Sequence, residues 1–322
     1  TMMGGVSASN LADAAMLSRM MVPEMERKGY NRAFAAAITA GGSLVTPIIP
    51  PGIALIIYGL VADVSIGKMF IAGLVPGLLC AVVLMFTVYL VARKTNAKPS
   101  RESWPTGKEV VFSLGQAWPA LFLIFAVVGG IRANIFTPTE AGAVAVLIVL
   151  AIGFFIYREM RISHVVKALG ETARATASVM LVIMASAALG WIFSMEHAGV
   201  AVANFVTSLT ENKYMFLLII NILLLTLGMF LEGNAILLIL VPLLKPVVEH
   251  FGIDPVHFGI IMIFNLSIGA FTPPVGTVML LVCNITQVSV GNFFKQSLPL
   301  LAALLLMLML VTYIPAISLF LV

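Results

Sequence analysis

The sequence predicts an all-α polytopic membrane protein, built from inverted repeats that hold two re-entrant hairpins and two unwound, broken helices. Three observations predict it. The chain of 322 residues is 61% hydrophobic and only 10% charged, with a mean hydropathy of +1.10; a soluble domain carries about a quarter charged residues. Uncharged runs cover 33–62, 69–92, 114–131, 141–157, 175–195, 214–231, 258–294 and 298–322, most of them near or above the roughly 20 residues that a helix needs to cross a bilayer. Two of these runs are interrupted by proline pairs, in "VTPIIPPGIAL" (45–55) and "FTPPVGTVML" (271–280). The alternating segments of a β-barrel are missing.

The elements follow in three units. The first, 1–92, opens on a Gly, Ser and Asn-rich tip, "GGVSASN" (4–10). A polar turn at 24–32, a broken crossing at 33–62 and a plain crossing at 69–92 complete it. The second unit, 93–211, holds a cytoplasmic arm and scaffold crossings. Its loops 93–109 and 158–174 are basic, with Arg93, Lys94, Lys98, Arg101 and Lys108 in one and Arg158, Arg161, Lys167 and Arg174 in the other. Two crossings separate them, so both lie on one side, and the basic side is cytoplasmic. Within them "TGKEVVFSLGQAW" and "RISHVVKALGETA" mix apolar and polar positions as helices lying flat at the interface do. The third unit, 212–322, repeats the first: a tip "LEGNA" (231–235), a mixed turn at 245–257, a broken crossing and a plain one.

Sliding the chain by 224 residues aligns the two outer units. Asn10 falls on Asn234, Phe34 on Phe258, Ser43 on Ser267, Pro50 on Pro274 and Gly52 on Gly276, and "VSIG" (64–67) falls on "VSVG" (288–291). Counting crossings from the basic loops puts the 24–32 turn inside and the 245–257 turn outside. The units are therefore inverted, as in secondary transporters. The second tip follows an entering arm that has no counterpart before Asn10, so the pattern expects a further segment ahead of Thr1.

The breaks then have a purpose. Proline blocks the helical ladder and glycine relaxes the backbone. Unwound backbone inside a membrane is tolerated only where protein or a cavity surrounds it. Two breaks facing two tips rich in Ser, Asn and Gly gather oxygen ligands for a hard cation such as Na⁺. The exposed N-termini of half-helices favour an anion. Paired proline kinks that serve only packing are the plainer alternative.

"RMMVPEMERKGYNRAFAAAITAGGSLVTPIIPPGI" (19–53), "ADVSIGKMFIAGLVPGLL" (62–79), "FTPTEAGAVAVLIVLAIGFFIYRE" (136–159) and "GMFLEGNAILLILVPLLKPVV" (228–248) resemble the large membrane subunit of tripartite ATP-independent periplasmic (TRAP) transporters. The resemblance runs along nearly the whole chain. It implies a multi-pass protein of the bacterial inner membrane that imports organic acids such as C4-dicarboxylates or sialic acid by an elevator mechanism. It also implies Na⁺ as the coupling ion at two or more sites, a small four-helix membrane subunit and a periplasmic substrate-binding protein as partners, and membrane lipid around them. Carried over position by position, one Na⁺ site would use Ser7, Ser9, Asn10, Gly42, Thr46 and Pro47. The other would use Gly228, Asn234, Gly269, Thr272 and Val275. Substrate would meet Ser9, Asn10, Pro51, Asn234 and Pro274. A standalone ion-coupled dicarboxylate symporter of related hairpin architecture is the competing reading.

Charged and titratable residues are weighed separately. Carboxylates inside a membrane are costly and usually functional. Asp13 and Glu232 divide evenly between that role and capping a helix N-terminus. For Glu140, in "TPTE", a capping box is the better reading. His197, His250 and His257 stand at segment ends as solvated residues. Cys80 and Cys283 lie in apolar runs as packing residues. The net charge of +4 sits mainly in loops, which speaks for orientation and against nucleic acid. The chain has neither a Gly-x-x-x-x-Gly-Lys, an HExxH nor a nucleophile elbow, which argues against an ATP-driven pump and an intramembrane protease.

Overall fold

A computed structural model describes residues 9–94, 106–133, 135–196, 208 and 210–322, and every regular element among them is helical. The first unit holds α1 (Asn10–Arg27), α2 (Arg32–Ser43), α3 (Ile53–Ala62) and α4 (Ile66–Lys94). The middle holds α5 (Gly107–Arg132), α6 (Pro138–Ala151) with a π turn (Ile152–Ile156), and α7 (Ile162–Met195). The third unit holds α8 (Lys213–Phe230), α9 (Gly233–His250), α10 (Pro255–Phe271), α11 (Thr277–Thr286), α12 (Val290–Tyr313) and α13 (Ala316–Leu319). Among the described residues five helices are long and apolar enough to cross a bilayer: Ile66–Arg93, Ile162–Ala185, Lys213–Phe230, Gly233–His250 and Val290–Tyr313. The protein is a multi-pass membrane protein.

Both breaks fall where the prolines are. Residues 44–52 separate α2 from α3, and 272–276 separate α10 from α11. Each break contains a cis Pro–Pro peptide, Pro50–Pro51 and Pro273–Pro274. The expected flat helices are corrected: "TGKEVVFSLGQAW" is continuous with α5 and "RISHVVKALGETA" with α7. α5 continues past Pro119, which directly follows Trp118, and α7 contains no proline, so each segment runs on into its crossing.

The element boundaries refine the repeat. The N-caps Ser9 and Glu232, and Asn31 and Asp254, pair at an offset of 223. Beyond the breaks the left-handed C-caps Asp63 and Gln287, and the helix starts Ile66 and Val290, pair at 224. One residue is therefore added within the second break. The sequence identities upstream of it (Asn10 with Asn234, Phe34 with Phe258) are one position out of structural register. Gly276 absorbs the extra residue with φ +46°, a conformation that favours glycine.

Packing interlocks the two units. α1, which follows the first tip, packs on α11 of the other unit, and α9, which follows the second tip, packs on α3. α2 packs on α12, and α10 on α4. α10 is the hub: every residue from Val256 to Phe271 is buried. Large buried side chains such as Phe258, Phe264, Phe271 and Phe293 fill the space around it, each contributing about 1.5–3 kcal/mol where water is the alternative.

Candidate functional site

Four helix N-termini meet at one place. Ser9 caps α1, its hydroxyl accepting the Ala12 N–H at 3.4 Å. Glu232 caps α9: Oε2 accepts the Ala235 N–H at 2.9 Å and Oε1 accepts from Asn234 Nδ2 at 2.7 Å. α3 and α11 begin just past Gly52 and Gly276 with no side-chain cap bond. Residues from all four starts line one cavity of about 110 Å³: Ser9 and Asn10, Ile53 and Ala54, Gly233 and Asn234, and Thr277. Pro47, Ser267 and the Glu232 cap also line it. First-turn N–H groups have no partner within their helix, so the cavity is ringed by partial positive charge.

Two further loci lie where α2, α8 and α10 end, the first of them completed by a side chain of α1. At the first, Asp13 is 2% exposed although it lies in the first turn of α1. Its Oδ2 accepts the Thr46 hydroxyl at 2.6 Å, and its Oδ1 is buried without a hydrogen-bond partner. A buried polar atom left unpaired costs about 1–3 kcal/mol, so this oxygen is poised for a cation or a donor. At the second locus, backbones touch. A Cβ on Gly269 would lie 2.7 Å from the Gly228 Cα and carbonyl carbon, and one on Gly228 3.2 Å from the Gly269 Cα. The Gly276 N–H donates to Met229 O at 2.8 Å, pinning the break to the end of α8. Thr272 donates its hydroxyl hydrogen to Ile268 O at 2.7 Å, which leaves oxygen lone pairs free.

The expected residues thus divide. Ser9, Asn10, Pro47 and Asn234 border the cavity. Thr46 lies at the first locus and Gly228, Gly269 and Thr272 at the second, with Val275 in the adjoining break. Pro51 and Pro274 belong to the breaks and do not line the cavity wall. Gly42 lines a separate apolar groove of about 260 Å³ with Ile38, Gly41 and side of α4. Ser7 lies outside the described residues. Asp13 and Glu232 part company: Glu232 is a cap at the cavity rim, and Asp13 is a buried acid tied across to the break. Ser267 and Thr277 were missed, though a lone Ser in an apolar run and a Thr directly after Gly276 were legible signals.

Elsewhere, Glu140 makes its capping box with Thr137, at 2.8 Å to the Thr137 N–H and 3.3 Å from the Glu140 N–H to Thr137 Oγ1. Cys80 and Cys283 are free and buried. The expectation for His257 is corrected: it is 2% exposed, because α12 and α13 close over the start of α10. His197 lies outside the described residues.

A family described as "Tripartite ATP-independent periplasmic transporter, DctM component" matches residues 1–317. The chain belongs to this family. It is 39% identical over 318 residues to the C4-dicarboxylate TRAP transporter large permease protein DctM of Pseudomonas aeruginosa, covering 98% of this chain and 73% of that protein. It is also 39% identical over 321 residues to the sialic acid TRAP transporter large permease protein SiaM of Vibrio cholerae, covering 98% and 74%. With the 2,3-diketo-L-gulonate TRAP transporter large permease protein YiaN of Escherichia coli it shares 33% over 313 residues, covering 97% and 73%. These TRAP relatives are permeases, not enzymes. As a member of this family, the chain is a transporter permease and not an enzyme.

Proposed function

We propose that this chain imports an organic acid anion together with Na⁺ across the bacterial inner membrane, by an elevator motion. It receives the anion from a periplasmic binding protein and works beside a small membrane subunit. One observation carries the reading: four helix N-termini ring one small polar cavity, while helix C-termini and the Asp13 carboxyl lie at two further loci. Amide N–H ends suit a carboxylate, and carbonyl and carboxyl oxygens suit a hard cation. The N-termini of α1, α3, α9 and α11 face the anion, and the C-termini of α2, α8 and α10 end beside the cation loci, so the two charges sit close enough to stabilise each other. The relatives' names support the anion class, since dicarboxylate, sialic acid and diketogulonate all carry a carboxylate.

The test is uptake into proteoliposomes holding the permease with its small subunit. Labelled C4-dicarboxylates, sialic acid and sugar acids are supplied with and without the cognate binding protein. Accumulation of one of them is expected only with an inward Na⁺ gradient and the loaded binding protein. Equal uptake from a proton gradient in Na⁺-free buffer sinks the ion assignment. Equal uptake of free substrate without the binding protein would instead favour a standalone symporter.

A further inference from the structure

One buried titratable group takes no part in the cavity. His257 lies in the first turn of α10, 2% exposed. Its Nδ1 is 2.6 Å from Ser318 Oγ on α13, and its Nε2 is 3.3 Å from the Thr312 carbonyl oxygen on α12. The Ser318 hydroxyl has a second acceptor, Pro315 O, at 3.1 Å. The shorter contact takes the hydrogen, so Ser318 donates to Nδ1 and the Nε2–H donates to Thr312 O. The neutral ring ties the start of α10 to the α12–α13 corner with both nitrogens used.

The first unit carries no titratable ring at the matching position. The offset of 223 that pairs Asn31 with Asp254 also pairs Phe34 with His257. Asn31 Oδ1 accepts the N–H groups of Ala33 and Phe34 at 2.8 and 3.3 Å; Asp254 Oδ1 accepts those of Val256 and His257 at 2.8 and 3.1 Å. Phe34 is buried like His257, at 3% exposure. An apolar ring therefore serves the packing at this position, and the imidazole adds a group whose charge changes near neutral pH.

We propose that His257 is a proton-released latch: neutral, it holds residues 312–319 onto the start of α10, and binding a proton lets that corner open. A proton on Nδ1 displaces the Ser318 hydrogen, which turns to Pro315 O, and leaves a cation in a place stripped of water. The surroundings compensate it little. The Thr312 carbonyl and then Asp254 on the same turn favour the charged ring, and Lys213 at the start of α8 opposes it; the Asp254 carboxyl already caps two N–H groups. Tyr58 on α3 donates to Pro255 O, Lys245 and Glu249 on α9 stand beside that pair, and Tyr313 on α12 donates to Tyr214 O. Lys68 and Arg93 on α4 and Lys295 on α12 are exposed, and α11 and α13 carry no charged side chain. The open corner, where water reaches the ring, binds the proton more readily than the closed one, so falling pH favours opening.

Hydrogen–deuterium exchange of the peptide spanning 312–322, in the whole permease in lipid nanodiscs, tests this from pH 8 to 5.5. His257→Phe, the ring found in the first unit, is measured at each pH so that intrinsic exchange rates cancel. The wild-type to His257→Phe rate ratio should rise about three- to tenfold as pH falls, the scale of one imidazole's linkage. His257→Gln should give a profile as flat as His257→Phe, and Ser318→Ala should speed exchange already at pH 8. A wild-type ratio that stays constant overturns the latch. So does failure of both His257 variants to fold, since the ring would then be a structural requirement. The readout is local and independent of transport, so it stands apart from the proposed function.

Discussion

Asp13 and Glu232 are both acidic residues at the start of a helix that follows a tip, yet they do different work. Glu232 spends both oxygens on its own helix turn and on Asn234. Asp13 reaches away from its helix to the Thr46 hydroxyl and keeps one buried oxygen unpaired. Asp13→Asn keeps an oxygen for Thr46 and removes the charge. The Na⁺ concentration for half-maximal uptake should rise at least about tenfold, since a buried charge–cation contact is worth more than about 1.4 kcal/mol. Glu232→Gln, which still offers a capping oxygen, should shift it far less. Equal shifts in the two variants would place the cation at the cavity rim instead. Thr272→Val belongs at the same scale. It keeps the shape of the break and removes one hydroxyl oxygen, so the Na⁺ requirement should rise about ten- to a hundredfold with normal expression. Thr137→Val, in the Thr-Pro pair that caps α6, should leave the Na⁺ curve unchanged. An unmoved curve for Thr272→Val would leave the break to act through its carbonyls alone.

The two breaks were the most legible elements, because a Pro-Pro pair with a glycine just after it has few readings inside an uncharged run. The register was less so. Matching identities favoured 224 throughout, but helix caps obey 223 until the break, and a cap is decided by geometry that Asn31 and Asp254 share without being identical. The burial of His257 was hidden for a similar reason: what covers it arrives from α12 and α13, far along the chain. The contact of α8 with α10 rests on two glycines that a sequence shows only as scattered small residues. Gly269→Ala would drive a methyl to 2.7 Å from the Gly228 backbone, where neither helix has a flexible atom to yield. It should lower stability by about 1–3 kcal/mol, as overpacking does, seen as a lower melting temperature in detergent. Gly291→Ala on α12, where a Cβ meets nothing within 4 Å, is the matched control and should be neutral or slightly stabilising. If both variants melt alike, the Gly228–Gly269 approach is not a stability determinant.

At the scale of the molecule, interlocking decides what can move. α1 rests on α11 and α9 rests on α3, so each tip helix is held by the broken helix of the other unit. Neither unit can shift alone without tearing two packed seams and the cavity they share. Any motion that carries the cavity across the bilayer must therefore move α1–α3 and α8–α11 together. The seam that has to slide is the one to the middle helices, where α7 meets α9 and α5 meets α4. Cysteine pairs placed across these seams separate the cases, after Cys80 and Cys283, both free and buried, are replaced by Ala. Oxidative cross-linking of α1 to α11 joins parts that already travel together, and Na⁺-driven uptake should persist. Cross-linking α7 to α9 fixes the moving body to its support. Uptake should stop and return on reduction, while Na⁺-dependent binding of substrate survives. Persistent uptake with α7 and α9 joined, or loss with α1 and α11 joined, would replace the elevator with a motion inside the interlocked body.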